Sequence, residues 1–183
     1  MNRIQHLSMV CCLLASVGVM AQSEKVLKPD EINERALIDI LSPEPATPSR
    51  VKTRAINITR DETSLPAAKP AAASLLIVFE TNSASLTSKG KQSLDVVGRA
   101  LNSEKLTAYK FAIEGHSDPR GGEDYNLRLS QARAESVVSY LEQSHQIPAT
   151  RLKPVGKGPT QLLNPARPEA PENRRVTIKR LDE

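Results

Sequence analysis

The stretch GHSDPRGGEDYNLRLSQARA, residues 115–134, contains a turn followed by the start of a helix. A glycine, a histidine and an acid open it, and Gly121 and Gly122 follow in a turn-rich run. A helical pattern that carries Arg133 closes it. Asp118 and Arg133 have opposite charges and are separated by the turn. They either form an internal salt bridge or make two halves of a pocket for a ligand that carries both charges.

The first 21 residues have the pattern of a secretory signal peptide. Arg3 precedes an apolar run that extends from Leu7 to Ala21, and Val19 and Ala21 are the small residues expected before a signal-peptidase cut. The run is too short for a membrane span of about 20 apolar residues. We therefore expect cleavage after Ala21 and export from the cytoplasm.

Both cysteines of the chain, Cys11 and Cys12, lie inside this signal. The mature chain is therefore expected to contain neither disulfides nor thiolate metal sites. Lipidation at one of these cysteines stays an alternative, although neither follows a small residue. Only His116 and His145 remain as histidines in the mature chain, far apart in sequence, so we predict no metal or cofactor.

The charge balance does not favour a nucleic-acid partner. The chain has 25 Lys and Arg against 21 Asp and Glu, and loss of Arg3 with the signal leaves 24 against 21, a net charge of +3. The charges are interspersed, whereas nucleic-acid binding usually requires a concentrated basic stripe with stacking aromatics.

Residues 22–74 are predicted to be a Pro/Ala-rich tether, mostly flexible, with one short helix. All five aromatic residues follow residue 75, and the segment holds six prolines and no glycine. A segment without aromatics cannot build much of a core. The helical pattern is PDEINERALIDIL, residues 29–41, with Asp30 as N-cap and an apolar stripe from Ile32 to Ile40. We expect this stripe to bind an outer-membrane or other envelope protein.

Residues 75–183 are predicted to form one α+β domain, a two-layer β-α-β-α-β-β sandwich. Its apolar and alternating runs indicate the following elements. The first strand lies in SLLIVFETNS (residues 74–83), and the first helix follows Thr87, with Leu94, Val97 and Leu101 on its inward face. The second strand covers Tyr109–Ile113, and the second helix covers Tyr125–Gln143. A short third strand covers Leu152–Val155, and the last strand covers residues 173–180.

The second helix is predicted to have two distinct faces. The core-facing stripe consists of Leu127, Ala134, Val138 and Leu141. The other stripe consists of Asn126, Ser130, Arg133 and Val137 and is polar over its first two turns. Since this second stripe starts beside the Asp118 loop, it predicts a pocket for a zwitterion. Asp118 would accept hydrogen bonds from an ammonium group, and Arg133 would hold a carboxylate with two parallel hydrogen bonds.

Residues 115–141, followed by Arg151, GKG at 156–158 and NRRV at 173–176, resemble the OmpA-like peptidoglycan-binding domains. That family includes the periplasmic domains of OmpA porins, the Pal lipoproteins and the stator protein MotB. The resemblance covers about residues 75–183. It implies the two-layer fold and a location in a Gram-negative envelope, either in the periplasm or attached to the outer membrane. It further implies non-covalent binding of peptidoglycan through the meso-diaminopimelate of the stem peptide, which would anchor an envelope component to the cell wall.

The resemblance also implies roles for individual residues. The ligand-binding acid corresponds to Asp118, the arginine to Arg133, the asparagine to Asn126, and a leucine near the site to Leu129. Of the terminal motif Asn173, Arg174 and Arg175, we expect Arg174 to face the pocket. Ser117 stands where the family more often has threonine and keeps the hydroxyl, and the loop before NRRV carries Pro165, Pro168 and Pro171.

Two other functional classes were weighed against peptidoglycan binding. His116, Ser117 and Asp118 contain the residue types of a hydrolytic triad, but neighbours on an extended chain point in alternate directions and rarely assemble one. We therefore predict that the protein is not an enzyme. A protein-interaction adaptor that uses the same fold without binding the wall stays the alternative.

Overall fold

The computed structural model describes residues 26–43 and 71–181. The predicted signal peptide and most of the predicted tether lie outside these residues. In chain order the elements are β1 (Val26–Leu27), α1 (Glu34–Leu41), β2 (Ala72–Leu75), α2 (Ser88–Leu101), β3 (Lys110–His116), α3 (Glu123–His145), β4 (Leu152–Gly158) and β5 (Val176–Leu181). Short 3-10 turns at Ala149–Arg151 and Pro171–Asn173 precede β4 and β5.

The five strands form one sheet in the order β1-β2-β5-β3-β4. β5 is antiparallel to both β2 and β3, while β4 is parallel to β3. α3 packs on β3 and β4, α1 packs on β2, and α2 contacts both of these helices. The predicted α+β order and its two layers are therefore confirmed. Within the described residues, no helix combines the length and the apolar character needed to cross a bilayer.

The first predicted strand, residues 74–83, differs from the observed strand β2 because the partner of β2 is short of the predicted length. β2 pairs with β5 from Ala72↔Lys179 to Leu75↔Val176, where β5 begins. Beyond Leu75 the chain has no strand to pair with, so the apolar run that follows leaves the sheet. It regains a single bridge between Phe79 and Leu86 before α2. The predicted strand thus lies mostly outside the sheet, and the real one begins inside the predicted tether.

The last two strands also differ from prediction at their ends. β4 continues through Pro154 to Gly158, three residues further than expected. It tolerates this proline because it is an edge strand, paired only with β3. The last strand begins at Val176 rather than at Asn173, because a 3-10 turn occupies Pro171–Asn173.

Part of the segment predicted as a tether belongs to the folded domain. β1 pairs in parallel with β2, and α1 begins at Glu34, where Asn33 rather than Asp30 is the N-cap and accepts a hydrogen bond from the Ala36 amide at 2.8 Å. Arg180 donates to the carbonyl of Leu41, the last residue of α1, at 2.8 Å.

The apolar stripe of α1 is consequently covered for the most part by the domain itself. Ile32, Leu37 and Leu41 are buried in the same core as β2 and α2. Most of the stripe that was expected to bind an envelope partner therefore packs inward, while Ile40 is 40% exposed. A partner role for the rest of residues 22–74 falls mostly outside the described residues.

Leu37→Ala tests the integral position of α1. Leu37 is fully buried, so truncating it should lower the free energy of unfolding by about 2–5 kcal/mol. Ile40→Ala is the matched control on the same helix, since Ile40 is 40% exposed, and should cost less than about 0.5 kcal/mol. Urea unfolding of the purified protein measures both. Equal, small losses would mean that α1 is not docked.

Candidate functional site

α3 lies unusually close to the sheet because two strand positions carry glycine. A Cβ on Gly115 of β3 would collide with the carbonyl of Ser130, and one on Gly156 of β4 would lie 2.7 Å from the Gln131 amide nitrogen. The Ser130 hydroxyl accepts a hydrogen bond from the Gly158 amide at 2.9 Å. These contacts hold the first turns of α3 over the ends of β3 and β4, where the Asp118 loop begins.

The helix face that makes these contacts differs from the prediction. Leu127 is 45% exposed rather than in the core, while Asn126 and Ser130 are buried. Both polar side chains turn inward because backbone groups there need them: Ser130 receives the Gly158 amide, and Asn126 donates to the Arg120 carbonyl at 2.8 Å. The remaining predicted core positions of α3 (Ala134, Val138 and Leu141) are buried as expected.

The loop between β3 and α3 is folded around the Asp118 carboxylate. Oδ1 accepts the backbone amide of Arg120 at 3.1 Å, and the Asn126 side chain holds the carbonyl of the same residue. Gly121 completes the turn with a φ of +87°, a conformation that favours glycine. Asn126 therefore acts on the loop rather than standing open to a ligand.

Two arginines neutralise Asp118, and Arg133 is not one of them. Arg120 donates to Oδ2 from Nε at 3.2 Å and from Nη2 at 2.8 Å, and Arg174 donates to the same oxygen from Nη1 at 2.8 Å. Asp118 is only 5% exposed. Burial by itself would raise the pKa of Asp118, but the hydrogen bonds from Arg120 and Arg174 outweigh it and hold the pKa below its ordinary value.

Arg133 is held at one edge of its guanidinium and is open at the other. Its Nε donates to the Ser83 carbonyl at 3.0 Å, and its Cζ lies 5.1 Å from the centre of the Phe79 ring. Its two terminal nitrogens have no hydrogen-bond partner within residues 26–43 and 71–181. Burial lowers the pKa of Arg133, and the nearby Arg174 lowers it further. It nevertheless keeps its positive charge at neutral pH.

A cavity of about 280 Å³ lies between the segment that leaves the sheet after Leu75 and the start of β5. Three arginines line it, Arg133, Arg174 and Arg175, together with His116. No carboxylate is among its lining residues. Its chemistry therefore suits a negatively charged group.

A short loop aims Arg174 at Asp118. The side chain of Asn173 is fully buried and donates to the carbonyls of Asn164, Arg167 and Pro168, while its Oδ1 accepts the Asn164 amide at 2.9 Å. This one amide therefore holds the proline-rich loop in shape. Arg174 follows it directly and lies beside Asp118, as expected, although it precedes the strand in which we placed it.

The buried pair His116 and Ser117 lies at the bottom of the site. Their backbone amides donate to the carbonyls of Arg175 and Gly158 at 2.9 Å each. Neither imidazole nitrogen nor the Ser117 hydroxyl has a hydrogen-bond partner within the described residues. Burial, with Arg175 and Lys157 adding to it, lowers the pKa of His116 to about 3, so the ring is neutral at physiological pH. The catalytic arrangement His116–Ser117–Asp118 is not formed, since no hydrogen bond connects these side chains.

The structure thus brings Ser117, Asp118, Asn126, Arg133 and Arg174 to one end of the sheet. Leu129 lies half-buried on α3 and does not line the cavity. Sequence reasoning missed Arg120. It lies two residues after Asp118 in a turn, and at this spacing a side chain can fold back onto the acid. Sequence reasoning also did not decide the role of Arg175. This residue is buried and lines the cavity.

Comparison with known proteins places the chain among its relatives. The family model described as the OmpA family matches residues 78–175. The chain is 36% identical to the probable lipoprotein YiaD of Escherichia coli over 104 residues, 56% of this chain and 46% of that protein. It is 34% identical to the peptidoglycan-associated lipoprotein of Agrobacterium fabrum over 82 residues, 45% of each.

Among solved structures, the periplasmic domain of Helicobacter pylori MotB superimposes with a TM-score of 0.54 at 15% identity, covering 64% of this chain and 80% of that one. At this identity the likeness shows the fold. The chain matches slightly less than half the length of the two relatives named above.

The buried His116 makes the stability of the fold sensitive to acid. Its pKa is about 3 in the folded protein against an ordinary 6.5, so between these values the unfolded chain binds a proton that the folded chain does not. Stability must then fall as the pH falls, by about 2 kcal/mol between pH 7 and pH 5. In His116→Asn, the loss in free energy of unfolding between pH 7 and pH 5 should be smaller than in the wild type by that amount. Urea unfolding at both pH values measures it. Equal losses in both proteins would contradict the assignment.

Proposed function

Because the chain belongs to the OmpA family, we propose that it binds peptidoglycan non-covalently, through the meso-diaminopimelate of the stem peptide. The side-chain end of diaminopimelate carries an ammonium and a carboxylate on one carbon. Binding would anchor or link an envelope component to the cell wall without chemical change to it. No cofactor or metal is needed for this, and within the described residues no cluster of His, Cys, Asp or Glu is arranged to hold a metal ion.

The observation that carries the proposal is the open edge of the Arg133 guanidinium. An arginine fixed at Nε and stacked on Phe79 has little rotamer freedom left to lose, so its free terminal nitrogens are pre-organised for a carboxylate. Two parallel hydrogen bonds to one carboxylate are the strongest geometry that this side chain offers. The neighbouring cavity, which three arginines line, favours the same charge.

Arg174 connects the two halves of the proposed site. It donates to Asp118 and also lines the cavity that Arg133 lines. An ammonium at Asp118 and a carboxylate at Arg133 would therefore both lie next to the same guanidinium. A ligand that carries the two charges on one carbon could present both there, whereas an amino acid whose backbone groups are joined in a polymer has neither group free.

The periplasm next to the outer membrane is the protein's location. The names of its relatives, a peptidoglycan-associated lipoprotein and the outer-membrane lipoprotein YfiB of Pseudomonas aeruginosa, agree with this location. They also support association with the wall. An envelope protein partner through residues 22–74 stays a prediction, now restricted to the parts of that segment that do not pack on the domain.

One observation favours the second candidate, an adaptor that uses the fold without binding the wall. The Asp118 carboxylate is already neutralised by Arg120 and Arg174, so it offers an incoming ammonium less than a free acid would. An adaptor of this kind would stay in the supernatant when insoluble peptidoglycan is sedimented, even as the wild-type protein.

Co-sedimentation with insoluble peptidoglycan tests the proposal. Asp118→Ala and Arg133→Ala should each reduce the bound fraction at least tenfold, because each removes one of the two charges that hold the ligand. Arg128→Ala is the matched control, since Arg128 is an exposed arginine on α3 outside the site, and it should bind like the wild type.

Fold retention is checked by the thermal unfolding of each variant before binding is compared. Undiminished sedimentation of both site variants would refute the proposed site, and no sedimentation of the wild type would favour the adaptor. Release of soluble fragments from the same peptidoglycan would show an enzyme instead.

A further inference from the structure

The Asp118 carboxylate already accepts four hydrogen bonds in the free protein. Oδ2 accepts three of them, two from the Arg120 guanidinium and one from Arg174, and Oδ1 accepts the Arg120 amide. A carboxylate offers about four lone-pair positions, so one on Oδ1 is still unused. The side chain is only 7% exposed, however, so these donors cover it on its accessible side. An ammonium group can therefore reach the carboxylate only by taking the place of a donor that is already there.

The side chain of Arg120 is the donor that leaves most easily. It is 57% exposed and makes no side-chain hydrogen bond within the described residues except to Asp118. Arg174 is 38% exposed, donates also to the Glu169 carbonyl at 3.3 Å, and follows a loop that the buried Asn173 holds in place. The Arg120 amide belongs to the turn itself, which Asn126 fixes.

We propose that Arg120 is an internal competitor that sets the affinity and the selectivity of this site. The proposal rests on the proposed function. In the free protein the Arg120 guanidinium occupies the position of the ligand's ammonium, and binding exchanges one cation for the other. Such an exchange contributes little net attraction, because one cation–carboxylate pair replaces another.

Selectivity follows from this exchange. A ligand that carries only an ammonium, such as a lysine side chain, replaces Arg120 and gains almost nothing. A ligand that also carries a carboxylate on the same carbon gains the open edge of Arg133. Arg120 therefore makes the carboxylate the group that decides binding, and the site discriminates diaminopimelate from lysine through Arg133.

Calorimetric titration with the tripeptide L-Ala-γ-D-Glu-meso-diaminopimelate tests the exchange. Arg120→Gln keeps a polar side chain but cannot compete as a cation, so its Kd should fall by about two- to fivefold. Arg120→Lys keeps the charge but loses the two-pronged contact, so its Kd should lie between those of the wild type and Arg120→Gln. A charge effect acting only at a distance would leave Arg120→Lys equal to the wild type.

Arg128→Gln is the matched control, because it removes the same charge from an exposed position on α3 and should leave the Kd unchanged. A weaker affinity in Arg120→Gln would make Arg120 a ligand contact, and an unchanged affinity would make it a bystander; both outcomes overturn the inference. Asp118→Asn and Arg133→Gln in the same series separate the two proposals. If these lose binding while Arg120→Gln does not gain it, the proposed function stands and the competitor role fails.

Discussion

The packing of α3 against two glycines of the sheet is the constraint on which the site depends. Because Gly115 and Gly156 have no side chains, the helix backbone rests directly on the ends of β3 and β4. A helix held this close brings Arg133 to the strand ends at which the Asp118 loop starts. Any larger residue at Gly115 would push α3 away and separate the two charges, so the geometry of the site is set by the fold rather than by the loop alone.

The second constraint is electrostatic. Asp118 is buried with a single negative charge, and Arg120 and Arg174 neutralise it, while Arg133 keeps free terminal nitrogens. Burying an ionised carboxylate without such partners would cost several kcal/mol. The two arginines thus allow the acid to be buried. Together they carry one more positive charge than Asp118 neutralises, so the neighbouring cavity favours an anion. A ligand with an ammonium and a carboxylate answers both conditions at once.

Hydrophobic periodicity predicted the features that depend on neighbouring residues of the sequence. It failed for features that depend on a partner distant in sequence. The α2 residues Leu94 and Val97 are buried as their spacing predicts. β2 ends at Leu75 because its neighbour β5 begins only at Val176, the partner of Leu75. No pattern near Leu75 reveals where β5 begins. Leu127 is exposed because hydrogen-bonding needs of the adjacent backbone turn two polar neighbours inward, against the usual sorting by hydrophobicity. The motif match located Asp118 and Arg133, but only three-dimensional geometry shows that Asp118 bonds to other arginines.

Peptidoglycan binding as proposed depends on the open edge of the Arg133 guanidinium, which would receive the ligand's carboxylate. Its most direct test is the side-chain ¹⁵N resonance of Arg133, followed by NMR during titration with two tripeptides that differ only in ending in meso-diaminopimelate or in lysine. We expect a saturable shift of the Arg133 signal with the diaminopimelate peptide and almost none with the lysine peptide, which lacks the carboxylate. Binding of the diaminopimelate peptide that leaves the Arg133 signal unmoved would contradict it.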